Sequence, residues 1–113
     1  MPMPPVSDAA RERFDALVAS LQDAGRDVER TQMFGMPSAK VVGGRTFMGL
    51  YGDDLAVKLG AAAHARAMEV DDAGPFDPSG GRPMREWVSL PAASRDRWAE
   101  FAAEAADHVA GLG

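Results

Sequence analysis

Between Ala39 and Leu59 three short apolar runs follow one another, separated only by Gly43-Gly44 and by Gly52-Asp53-Asp54. Loops this short join antiparallel neighbours, because a parallel pairing needs a crossover of a dozen residues or more. Residues 39–42, 46–51 and 55–59 are therefore predicted as a three-stranded antiparallel meander.

On either side of the meander the period changes. Phe14, Leu17, Val18 and Leu21 fall at i, i+3, i+4 and i+7, one apolar stripe of a helix. Ser7 offers it an N-cap hydroxyl and Gly25 a left-handed stop. Pro2, Pro4 and Pro5 make residues 1–6 a flexible lead-in to a single domain over 7–113. Residues 61–69 read as a short alanine-rich helix, closed by Asp71-Asp72-Ala73-Gly74-Pro75. Phe76 sits in a brief extended segment and residues 79–83 form a turn or loop. Residues 85–90 are the last strand, with Trp87 on one face and Val88 and Leu90 on the other. Ser94 is placed as the cap of a final helix, with Asp96 in its first turn and Gly111 at its end. Trp98, Phe101, Ala102, Ala105 and Val109 form the buried face of that helix. The sum is an α+β domain of order α-β(3)-α-β(2)-α: an antiparallel five-stranded sheet with helices on one face.

A chain of 113 residues, 46% hydrophobic and 26% charged, can bury a core of its own without a staple. It has no cysteine, which excludes disulfides, thiolate nucleophiles and cysteine-based metal sites. No apolar run approaches the roughly 20 residues of a membrane helix. The start, Met-Pro-Met-Pro-Pro-Val, lacks a basic region followed by an apolar stretch, so the expected place is the cytoplasm, away from membranes. The net charge of −5 opposes strong nucleic-acid binding. One strip runs against this balance: between Arg30 and Gly52 there is no carboxylate, while Arg30, Lys40 and Arg45 are present.

Candidate chemistry is sparse, and the residues name no catalytic, cofactor or metal site. Glu104 and His108 lie at i, i+4, as two ligands of a divalent metal do, but no third ligand is indicated. Asp53-Asp54 and Asp71-Asp72 are paired acids beside turn residues, where aspartate accepts backbone amides. None of the serines sits in a Gly-x-Ser-x-Gly elbow, and His64 and His108 are the only histidines. The Gly80-Gly81-Arg82 loop is an alternative: its amides, with Arg82 and Arg85, suit an anion. It lacks the Gly-Lys-(Ser/Thr) ending of a phosphate-binding loop.

The stretch Phe47-Met48-Gly49-Leu50-Tyr51 is apolar on both faces, where a half-wet strand alternates. Strict alternation puts Phe47 and Tyr51 on one side and Met48 and Leu50 on the other. With Phe47 and Tyr51 towards the helices, Met48 and Leu50 become a candidate interface for a homodimer.

Several motifs, taken in order, resemble the TfoX N-terminal domain family. They are Met33-Phe34-Gly35-Met36-Pro37, the hairpin Gly43-Gly44-Arg45-Thr46-Phe47 and the strand Asp54-Leu55-Ala56-Val57-Lys58-Leu59. Phe76-Asp77-Pro78, Gly80-Gly81-Arg82-Pro83-Met84, Trp87-Val88, Leu90-Pro91 and Trp98 follow. The likeness covers about residues 8–110. It implies a fold similar to type III secretion chaperones, and a stand-alone relative of competence regulators that act with a transcription activator. It brings no catalytic motif. The chain thus reads as a non-enzymatic interaction or regulatory module. The alternatives are a small-ligand or anion-binding protein or enzyme using the Gly80-Gly81-Arg82 loop, and a nucleic-acid binder using the basic strip.

Overall fold

The computed structural model describes residues 4–33, 35–78, 80–81 and 83–112. Helix α1 (Asp8–Asp23) starts where Ser7 Oγ accepts the Ala10 amide at 3.1 Å, leaving Ala10, Phe14, Val18 and Leu21 buried. Of the expected lead-in, residues 1–3 lie outside the described residues. Val6 packs against the core instead of trailing free, and the Ser7 amide donates to Asp53 Oδ1 at 2.9 Å.

Four strands follow in antiparallel succession: β1 (Val28–Met33), β2 (Met36–Val41), β3 (Thr46–Tyr51) and β4 (Asp54–Lys58). After helix α2 (Ala61–Met68) come β5 (Gly74–Pro75) and β6 (Trp87–Leu90). Among the described residues the sheet is six-stranded, in the order β1-β2-β3-β4-β6-β5. The α+β class and the antiparallel meander stand; the strand count of five is corrected by β1. The β3–β4 loop shows why glycine punctuates this region. Tyr51 pairs with Asp54 across two residues, and Gly52 takes φ +62°, a conformation that costs other residues a Cβ clash.

A short 3-10 segment, Ala92–Arg97, leads into helix α3 (Trp98–Leu112). Ser94 is not an N-cap: its hydroxyl donates back to Pro91 O at 3.1 Å and its backbone interrupts the 3-10 turns. The Trp98 indole N–H donates to the same carbonyl at 3.2 Å, fixing where α3 begins. Gly111 lies inside the helix rather than after it.

Helices α1 and α3 cover one face of the sheet, with α1 over β1 and β3 and α3 over β2, β3 and β4. Trp98, Phe101, Ala102, Ala105, Ala106 and Val109 of α3 are buried there. The guanidiniums of Arg66 and Arg97 stand 5.6 and 5.5 Å from the Phe101 ring centre. Arg26 clasps Asp107 with Nε and Nη2 at 2.9 and 3.0 Å, tying the end of α1 to α3. That hydrogen bond also holds the Arg26 guanidinium above its ordinary pKa.

Met48 and Leu50 belong to this core, and their candidacy as an interface is corrected. Both are 0% exposed and join Leu55, Val57, Trp98 and Phe101 in one cluster. The alternation is broken by a bulge: Ala39 pairs with Met48 but Lys40 with Thr46, leaving Phe47 as an extra residue. Phe47 therefore enters the same cluster as Met48, while Tyr51 turns to the other face. Among the described residues no helix is long and apolar enough to cross a membrane.

Candidate interaction surface

The sheet face away from the helices carries a second apolar cluster of its own. Met36, Ala56, Phe76 and Trp87 are buried there, with Met33, Tyr51 and Met84 packed around them. Register explains the membership: Ala56 pairs with Gly49 and Ser89, and Trp87 pairs with Lys58, on the side opposite Leu55, Val57, Val88 and Leu90. Tyr51 meets Phe76 edge-on with centroids 5.6 Å apart, and Phe76 lies 5.9 Å from Trp87. These are favoured aromatic spacings.

The segment after β5 is irregular and runs beside this cluster. The Met84 amide donates to Phe76 O at 2.9 Å, which closes the segment on itself. Glu86 then takes φ +68°, uncommon for a residue with a Cβ. Its carboxylate is held from two sides, by His108 Nε2 at 3.2 Å and Lys58 Nζ at 3.8 Å. Its carbonyl accepts the Leu59 amide at 2.8 Å, extending the β4–β6 ladder by a step. The left-handed turn thus aims the chain into β6 and sets Trp87 onto the outer face.

Where the segment meets β6, Pro83, Met84, Arg85 and Trp87 line a shallow, mostly apolar cleft of about 470 Å³. Arg85 is exposed at its side and is the one charged residue of the described lining. Arg82, its expected companion, lies outside the described residues. The amides of Gly80 and Gly81 do not point to an anion: both donate to Asp77 Oδ1, at 2.9 and 3.2 Å. An aspartate side chain thus holds these two amides, as aspartates beside turns do.

The other sequence candidates are dispersed. Glu104 pairs with Arg66 and His108 with Glu86, so the two helical neighbours serve different partners. Among the described residues no group of three His, Asp or Glu side chains is placed to hold a metal ion. Asp53 and Asp54 accept the amides of Ser7 and Ala92, as turn-side aspartates do. Arg30 pairs with Ala39, on the helix side, and is bound to Asp15 at 3.1 Å. Lys40 is the next residue of β2 and faces the opposite way, so the basic strip does not converge. Ser38 is buried, its hydroxyl donating to Met36 O at 3.0 Å.

Sequence reasoning placed Trp87 across from Val88 and Leu90 but did not join it to Phe76, Tyr51 and Met36. The available signal was that Trp87 falls off the face of Val88 and Leu90; Tyr51 was assigned to the helix side with Phe47 and gave none. No family model, curated protein or solved structure matches this chain.

Proposed function

We propose that this chain is a non-enzymatic interaction or regulatory module, a relative of the TfoX N-terminal domain family. The kinship is supported by the order of motifs along the chain. The molecular role is supported by one observation above all: the cleft of Pro83, Met84, Arg85 and Trp87 on an aromatic–methionine cluster outside the main core. Its lining supplies apolar contact area, a pliable thioether and one cation. Surfaces of that composition grip a partner's side chains. The reading includes a homodimer; with Met48 and Leu50 in the core, the dimer uses another surface.

Capture from an extract of the native cell at low salt tests the role of the cleft, with the wild type and a Met84→Glu variant as parallel baits. A protein held by the wild type and released by the variant supports the reading. A small molecule retained by both baits overturns it in favour of a ligand-binding protein.

A further inference from the structure

We propose that two copies of this chain join β1 to β1 across a two-fold axis at Thr31, forming one continuous antiparallel sheet. The inference rests on the homodimer in the reading above and names its surface. The sheet has two edges of unequal kind. One is β5, two residues long and containing Pro75, which has no amide to offer. The other is β1, six residues with Glu29, Arg30 and Gln32 exposed.

The ladder states which backbone groups of β1 are free to pair outward. The Val42 amide donates to Asp27 O at 2.9 Å, which makes Asp27 and Val42 a hydrogen-bonded pair. Alternation then turns the groups of Glu29, Thr31 and Met33 towards β2, and those of Val28, Arg30 and Gln32 outward. Val28 is already engaged: its carbonyl accepts Gln22 Nε2 at 2.9 Å and its amide donates to Arg26 O at 3.2 Å. The open stretch is Arg30 to Gln32.

One register lets the outward groups of both Arg30 and Gln32 pair within that stretch of a second copy. With Thr31 opposite itself, both backbone groups of Arg30 meet both groups of Gln32 of the partner subunit, and the reverse. Glu29 then stands across from Met33 of the partner subunit, so no like charges oppose each other. Centring on Arg30 instead sets guanidinium against guanidinium and calls on the occupied Val28 carbonyl. Centring on Glu29 opposes two carboxylates. Like charges directly opposite destabilise a pair of strands. The cleft beside this edge adds alternating charge, with Arg11 and Asp15 of α1 lining it together with Arg30 and Gln32. Because the second edge is blunted, the two-fold closes the assembly at a dimer instead of starting a filament.

Sedimentation equilibrium on the full chain, with three Gln32 variants, tests the register. Gln32→Pro removes an outward amide that the monomer's ladder does not use, and an edge strand tolerates it. It should leave a folded monomer. Gln32→Glu faces the partner's Arg30 and should tighten the dimer, whereas Gln32→Arg should loosen it, each on the order of tenfold. Amide exchange at Arg30 and Gln32 should slow as protein concentration rises. Glu and Arg variants that shift the dimer in the same direction, or not at all, overturn the register while a dimer remains. A wild type that stays monomeric at high micromolar concentration overturns the dimer altogether. Neither result bears on the Met84 cleft, which the capture experiment judges separately.

Discussion

The Met36 side chain lies directly over the backbone of Gly49, across the β2–β3 ladder. A Cβ built on Gly49 would stand 2.9 Å from Met36 Cε, 2.9 Å from Ser38 Oγ and 3.3 Å from Pro37 O. The thioether can retreat, but the carbonyl belongs to the strand. Gly49→Ala should therefore destabilise by about 1–3 kcal/mol, the usual cost of overpacking. Urea denaturation of the variant checks it, and an unchanged midpoint would show that the outer cluster yields freely.

Leu50 pairs with Leu55 inside the core, both at 0% exposure. Leu50→Lys should abolish the cooperative fold, since an unpaired ammonium has no route to water there. Circular dichroism during thermal melting reads the outcome. A folded, monomeric Leu50→Lys protein would contradict the core assignment.

Trp98 and Phe101 fasten α3 to β3 and β4. Truncating either to alanine should cost roughly 3–5 kcal/mol. Chemical denaturation showing a loss below about 1 kcal/mol in both variants would mean that α3 is not the lid of the core.

Arg30 and Lys40 lie on opposite faces of the sheet, and the net charge is −5. Fluorescence anisotropy with mixed-sequence DNA at physiological salt should find no binding tighter than about 1 µM. Nanomolar affinity with a steep salt dependence would refute this.

Arg97 donates a hydrogen bond to Glu100 and holds its carboxyl below the usual range, against a smaller opposing effect of burial. A depressed folded value means the contribution is complete above the ordinary carboxylate pKa and disappears as pH falls through the folded value. Both side chains are about half exposed, so screening keeps it small. The gap in denaturation midpoint between wild type and Glu100→Gln should be slight at neutral pH, close in strong acid, and narrow in high salt. A gap that widens on acidification would reverse the sign of the pair.

The meander, the three helices and the α3 core face were legible because their signals are local: glycine loops of fixed length and apolar residues at helical spacing. Strand β1 was not. In Val-Glu-Arg-Thr-Gln-Met only Val28 is buried, since an edge strand has few neighbours to demand apolar side chains. The faces of β3 were misread for a different reason. Parity along a strand holds only while pairing is regular, and the bulge between Ala39 and Lys40 arises between two strands, where one strand's sequence does not record it. The outer cluster was hidden likewise, because Tyr51, Phe76 and Trp87 come from three separate segments.

The position of α3 bears on how the molecule is made. Its side chains roof β2, β3 and β4, strands completed by residue 58, yet the roof itself begins at Trp98. A nascent chain therefore carries an uncovered apolar sheet through the synthesis of some forty further residues. Chains halted before Trp98 should be digested readily by protease, and those released after Leu112 should resist. Between those two points the uncovered strands are the surface through which an incomplete chain would aggregate.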